Sequence, residues 1–334
     1  MHFRPSYLIF ILGAVAVLAT VGGHHPSMEP ALAASELPGA APSRSGEQPV
    51  TIHMHNVRFH ASNDVILNVA WLQGRLVSKV RGRPPVFDDQ RSFRLDITDA
   101  EIAVGASSLT ALVNTAFDYP GTPLSDLSVT VSEGRIEQRG KLHKVISIPF
   151  TVKADVATTA DGRLLLHPDS VSGAGLPIGG LISTLGLELD NLIKSKPERG
   201  IQIQQNNLVL DPGKMIPGIE MRGKLTRAAV RGDLLMQTFG KGAASKPRGD
   251  VRQNYIWFRE GTITFGKLTM VDADLQLIDA DSRDPFDFYA ARYNDQLIAG
   301  YSRNTTARGL RTYMPDFSDL GRLPDGKLPA PTSK

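Results

Sequence analysis

The sequence predicts an α+β chain that is mostly β, and three observations carry that prediction. Apolar and polar residues alternate with a period of two in several stretches, turn dipeptides fall between them, and only two or three short segments show helical spacing. The pattern reads as an antiparallel meander rather than as repeated strand–helix–strand units.

The chain has 334 residues. Arg4 precedes an apolar run from Tyr7 to Val21, followed by Gly22, Gly23 and the small-residue site Ala31-Leu32-Ala33. This is the order of an export signal. The small-residue site lies well beyond the apolar run, and that run is shorter than the roughly 20 apolar residues of a membrane span. Residues 1–33 are therefore expected to be a signal peptide or a membrane anchor. Residues 34–49, rich in Pro, Gly, Ser and Ala, read as a disordered linker because they offer too little apolar surface to bury. The folded part is expected in the periplasm or cell envelope, secreted or held by the N-terminal segment.

The body, residues 50–240, is expected to be a β-rich domain. Ile148, Phe150, Val152, Ala154 and Val156 alternate with Pro149, Thr151, Lys153 and Asp155 in a run that starts at Ile146. One face is apolar and the other wet. The same alternation recurs at Val65, Leu67, Val69 and Trp71, at Phe93, Leu95 and Ile97, and at Ile219, Met221 and Leu225. Glu133-Gly134, Asp161-Gly162 and Asn206-Asn207 supply turn signals between such runs.

Two helices are predicted. Ser107 to Tyr119 places Leu109, Leu112, Val113 and Ala116 on one face, with Ser107 or Ser108 as a cap and Pro120 as a stop. Ile178 to Lys194 repeats Ile178, Leu181, Ile182, Leu185 and Leu189 at helical spacing, with Gly186 as a potential break. A weaker third candidate covers Pro285 to Tyr301. The break Gly240 to Gly249 separates the body from a β-rich C-terminal extension, residues 250–319, and the Pro-rich residues 320–334 read as a disordered tail.

Composition excludes several functions. The 37 basic residues nearly balance 34 acidic ones, giving +3 with no like-charge run longer than a pair, which argues against nucleic-acid binding. A mild basic excess is compatible with anionic lipid head groups. With no cysteine there is no disulfide, thiolate metal site or thiol nucleophile. The chain carries no nucleophile elbow, Walker loop or zinc-hydrolase motif, so it is not expected to be an enzyme, and no cofactor is expected. The spacing of Gly173, Gly175, Gly179 and Gly180 departs from a dinucleotide-binding loop. His53, His55 and His60 could suggest a metal, and the run Asp272, Asp274, Asp279, Asp281, Asp284 and Asp287 could suggest calcium. The first reads more simply as a polar strand face, and the second, whose spacing is not that of an EF-hand, as turns and a cap. Tyr255, Trp257, Phe258 and Phe265 form an aromatic patch suited to a core or to a membrane interface.

Eight or more strands, each with an apolar face, outnumber the helices that could cover them. Either the strands pack on each other as a sandwich or a sheet curls around the helices and leaves an apolar groove.

Leu124 to Gly240 resembles the LmeA-like phospholipid-binding family, which looks related to the tubular lipid-binding superfamily. The resemblance rests on the blocks LSDLSVTVSEGRIEQRGKL (Leu124 to Leu142), IPFTVKADV (Ile148 to Val156), DGRLLLHP (Asp161 to Pro168), GLPIGGLISTLGLELDNLI (Gly175 to Ile193), NNLVLDPGKMIP (Asn206 to Pro217) and IEMRGKLTRAAVRGDLLMQTFG (Ile219 to Gly240), with ITDAEIAVGASSLTALVN (Ile97 to Asn114) upstream. It implies a long curved antiparallel sheet wrapping two or three short helices, with acyl chains in the cleft between them. The implied groove lining is Leu109, Leu112, Val113 and Phe117, then Ile178, Leu181, Ile182, Leu185 and Leu189, and the strand face Ile148, Phe150 and Val152. The family supplies no catalytic residues, and its core does not require the extension after Gly249, which is free to extend the sheet or dock on a partner.

The expected function is a non-catalytic envelope protein that binds or carries phospholipid or another acylated molecule, with the membrane surface as a partner. A ligand-free scaffold and a hydrolase of lipid or glycan with an unassigned site, for which the Asp272 to Asp287 cluster is the candidate, are the alternatives.

Overall fold

The computed structural model describes residues 48–143, 147–173, 176–177, 195–204, 207–216, 218–242, 252–306 and 308–329. The predicted helix Ile178 to Lys194, with Ile178, Leu181, Ile182, Leu185 and Leu189, lies outside the described residues, as do the N-terminal segment, Asn206 and most of the Gly240 to Gly249 break.

The chain opens with β1 (Val50–His60), β2 (Ile66–Ser78) and β3 (Phe93–Gly105), then α1 (Ala106–Phe117). Seven strands follow: β4 (Leu124–Ser132), β5 (Arg135–His143), β6 (Ser147–Thr158), β7 (Leu164–Gly173), β8 (Leu176–Pro177), β9 (Ile201–Gln204) and β10 (Asn207–Leu210). A one-turn helix, α2 (Pro212–Met215), leads to β11 (Glu220–Arg222), β12 (Leu225–Arg231) and β13 (Leu234–Phe239). The C-terminal part holds β14 (Tyr255–Arg259), β15 (Thr262–Phe265), β16 (Leu268–Val271), β17 (Asp274–Asp279), β18 (Phe286–Tyr289), α3 (Tyr293–Ala299), β19 (Tyr301–Asn304) and β20 (Leu310–Met314).

The protein is thus mostly β, with a few short helices. Its strands are divided between two large sheets and a ribbon rather than gathered in one. The first sheet runs β12-β13-β3-β2-β1-β14-β17-β20-β19, with β11 on β3 and β18 on β1. The second runs β4-β5-β6-β7-β10-β9, with β8 on β7, while β15 and β16 form a separate two-stranded ribbon. The C-terminal strands therefore extend the first sheet through β14, whose Thr51↔Arg259 to His55↔Tyr255 register zips onto β1.

A purely antiparallel meander needs correction. Among the described residues β11 on β3, β18 on β1 and β17 beside β20 are parallel. Each joins strands that are not consecutive in the chain, which the alternation inside a strand cannot reveal.

Local chemistry accounts for several details. Glu133 and Gly134 both take positive φ, 51° and 79°, in the two-residue turn between β4 and β5, as a twist-matched hairpin requires. In β1 the core residues Ile52 and Met54 give way to Val57 and Phe59, a change of parity at Asn56, whose φ is +50°. On β2 the register slips opposite the same point, so Leu67 and Val69 are followed inward by Leu72 and Leu76 rather than by Trp71.

α1 begins and ends close to the predicted helix, but its cap is different. Gly105 is the N-cap and makes no side-chain bond, while the Ser108 hydroxyl accepts from Ile66 N–H at 2.9 Å and ties the helix to β2. The third predicted helix is overruled over its first half. Phe286 and Phe288 are fully buried in a strand beside β1, and helical structure begins only with a 3-10 turn, Ala290–Arg292, that leads into the α-helix Tyr293–Ala299. Two aromatic side chains gain more from the sheet face than a helix start offers them.

Candidate functional site

The clearest concavity is an apolar seam between the two sheets, closed by α1. Thr110 and Asn114 of α1 fix the helix on β4: the Thr110 hydroxyl accepts from Val129 N–H at 2.9 Å, and the Asn114 amide donates to Leu127 carbonyl at 2.7 Å. With these polar residues satisfied, Leu109, Leu112 and Val113 face the seam. One wall is built by Leu67 on β2, Ile102 and Val104 on β3, and Leu235 and Phe239 on β13. The opposite wall is built by Val129, Ile136, Leu164, Leu166, Leu208 and Leu210 of the second sheet. Among the described residues only two polar side chains, Gln138 and Gln237, interrupt the lining.

The seam is tight. Its cavity measures about 60 Å³, less than half of the roughly 150 Å³ that houses a benzene ring in a dry apolar cavity. The lip consists of Pro212, Met215, Ile216 and Met221, and its methionines repack at low cost because the thioether chain is unbranched.

Beyond that lip lies an open polar cleft of about 660 Å³ that shares Ile216 and Met221 with the seam. Its charged residues are Asp161, Arg163, Glu198, Asp211, Lys214, Glu220 and Arg222, so both signs are present. Arg163 pairs with Asp161 at 2.8 Å and donates to the Gln202 amide oxygen, while its Nε is buried without a hydrogen-bond partner among the described residues. The Thr159 hydroxyl, followed by Arg163, holds Asp161 below the usual carboxylate range. Lys79, 2.9 Å away, does the same for Glu220. Gly213 allows the close approach of α2 to β11 that shapes the border, since a Cβ there would sit 2.2 Å from Met221 carbonyl oxygen.

The other residues singled out in the sequence are distributed as follows. Phe117 is buried in the core and does not line the seam. Ile148, Phe150 and Val152 are half-buried on β6, away from the seam lining, and Phe150 covers Gly140 beside Leu127. The seam residues on β13 and around α2 were not picked out from the sequence. The alternation Leu235, Gln237, Phe239 was their available signal.

The histidines do not converge on one ligand. His53 is buried beside Trp257, His55 Nδ1 lies 2.8 Å from Gln253 carbonyl oxygen, and His60 Nε2 lies 2.5 Å from Asp287. The acidic segment is likewise divided among structural roles. Asp274 accepts from Trp257 Nε1 at 2.7 Å and pairs with Arg311 at 3.0 Å. Burial works to raise its pKa, but the Arg311 and Trp257 hydrogen bonds hold it below the usual range. Asp281 chelates the Arg283 guanidinium on the surface. Asp279 is buried, accepts from Asn254 and from Asp281 N–H, and is pushed up to about 6 chiefly by burial. Among the described residues no group of three or more His, Asp or Glu is placed to hold a metal ion.

No family model matches the chain, and comparison with curated proteins and with solved structures found no match.

Proposed function

We propose that the chain is a non-catalytic envelope protein that takes the acyl part of a phospholipid, or of another acylated molecule, into the seam. One observation carries this reading: an almost wholly apolar cavity adjoins an open polar cleft across the shared residues Ile216 and Met221. An amphiphile needs that adjacency. Each CH₂ moved from water into the seam contributes about 0.8 kcal/mol, so the lining can hold a chain without specific polar contacts. The mixed charges of the cleft suit a head group that is zwitterionic or rich in hydroxyls. In this reading the two sheets wrap α1, and the seam widens at the lip formed by α2.

The small cavity favours a second reading, a ligand-free scaffold whose groove is filled by its own side chains. Titration with a fluorescent fatty acid separates the two. Lipid binding requires saturable fluorescence that phospholipid competes away and that Leu109→Asp abolishes in a protein with unchanged circular dichroism. An unsaturable or absent signal in the folded wild-type chain supports the scaffold.

A further inference from the structure

Among the described residues five large apolar side chains stand exposed: Val80, Leu268, Val271, Leu297 and Ile298, the last at 69%. Single exposed apolar residues are ordinary on a protein surface. Val271 faces the other side of the ribbon from Leu268, three residues away on a strand of regular register, but Val80, Leu268, Leu297 and Ile298 lie on three segments that a single aromatic cluster ties together.

The first segment is the turn that follows β2, the second is the β15–β16 ribbon, and the third is α3. Phe87, from the loop after that turn, stacks on Phe265 of the ribbon at 4.4 Å and meets Tyr293 of α3 edge-on at 5.1 Å. Backbone bonds join the loop to the ribbon, from Phe87 N–H to Thr264 carbonyl at 2.8 Å and from Thr264 N–H to Pro85 carbonyl at 2.9 Å. Asp88 closes the junction by accepting from Gly266 N–H at 2.6 Å and from the Tyr293 hydroxyl at 2.8 Å. The three segments thus form one braced corner, with Phe258 of β14 against its inner side.

The exposed charge at this corner is mainly positive. Three of its acids are engaged locally, Asp88 as above, Asp89 in capping the turn at Arg91, and Asp295 with Arg292, while Asp272 stands exposed beside Val271 at the base of the ribbon. Arg81, Arg83 and Lys267 are exposed and have no ion-pair partner among the described residues. Arg81 and Arg83 flank Gly82 in a turn closed by Arg83 N–H on Val80 carbonyl, and Lys267 is next to Leu268 at the ribbon tip. Exposed aliphatic side chains beside unpaired cations match the interface of an anionic bilayer: the apolar groups enter the head-group boundary and the cations meet phosphates.

We infer that this corner is the surface by which the protein docks on an anionic membrane. The inference is independent of the seam, since it concerns a surface contact and not the captured molecule.

The absence of cysteine allows a local test on the full chain. A single cysteine introduced as Leu268→Cys carries an environment-sensitive fluorophore, and Glu133→Cys, in the β4–β5 turn, carries the same label as a control. On addition of vesicles containing phosphatidylglycerol, the Leu268→Cys probe is expected to shift to the blue and become shielded from an aqueous quencher, while the control probe is unchanged. Replacing Arg81, Arg83 and Lys267 together by Gln is expected to weaken vesicle partitioning about a hundredfold at low salt. Because these residues are exposed, loss of folding is not the expected cause, and circular dichroism checks it. A Leu268→Cys probe that stays in water while the chain is vesicle-bound overturns the inference, as does a chain that does not bind vesicles. A probe that shifts with protein concentration and no vesicles overturns it in favour of self-association.

Discussion

Replacing Asp316 by Asn should remove much of the pH dependence of stability above about pH 5. Asp316 is 6% exposed, and its Oδ1 accepts from Asp287 N–H at 2.6 Å. Burial, reinforced by Asp279, Asp284 and Asp287, raises its pKa from 3.8 to about 7. The folded protein therefore keeps this proton to a higher pH than the unfolded chain does. The stabilisation is complete below about pH 4 and is lost as pH rises through about 7. A displacement of about three units corresponds to at most about 4 kcal/mol at 1.36 kcal/mol per unit. Asp279, raised to about 6, acts with the same sign, and the two contributions do not simply add because the carboxyls interact. Asn retains the oxygen that Asp287 N–H needs and cannot ionise. Urea unfolding followed by Trp71 and Trp257 fluorescence should find Asp316→Asn close to wild type near pH 4 and more stable by up to about 4 kcal/mol near pH 8. A wild-type protein that gains stability over that interval, or a variant with the wild-type slope, refutes the reasoning.

Three further outcomes follow from individual contacts. Leu112→Ala, at a buried seam position, should destabilise the protein by about 3 kcal/mol in urea, through lost transfer energy and the added cavity. Gly213→Ala should cost about 3 kcal/mol, since its methyl group would meet Met221 carbonyl oxygen at 2.2 Å; an unchanged urea midpoint would show that α2 moves aside freely. His60→Ala should cost about 2 kcal/mol near neutral pH by leaving the buried Asp287 carboxylate short of a hydrogen-bond partner. Asp287 is held below its ordinary pKa, with burial opposing and the His60 bond prevailing. Its contribution is thus present above about pH 4 and lost as pH falls, so the His60→Ala and wild-type midpoints should converge in acid.

The β-rich character was legible because a half-buried strand writes its two faces directly into the sequence, as β6 does from Ser147 to Thr158. Leu109, Leu112 and Val113 were legible as an apolar face for the same reason, at helical period. Alternation does not say which strands pair, so the division into two sheets and the parallel partners of β1, β3 and β17 were hidden. It also fails at a bulge. Trp71 continued the pattern of Leu67 and Val69 on paper, but the register slip beside it hands the inward position to Leu72. Phe286 and Phe288 were read as part of a helix because their partner, β1, lies more than two hundred positions away in sequence. The environment of Asp316 was invisible for a similar reason, being assembled from the distant turns around Asp279, Asp284 and Asp287.

Native mass spectrometry of the protein purified from a membrane-bearing host tests most directly whether the seam is a binding site. The account predicts a species heavier by one acylated molecule, identified by extraction, and its loss in Leu109→Asp with folding intact. A folded wild-type protein that remains free of lipid even after incubation with phospholipid vesicles contradicts it.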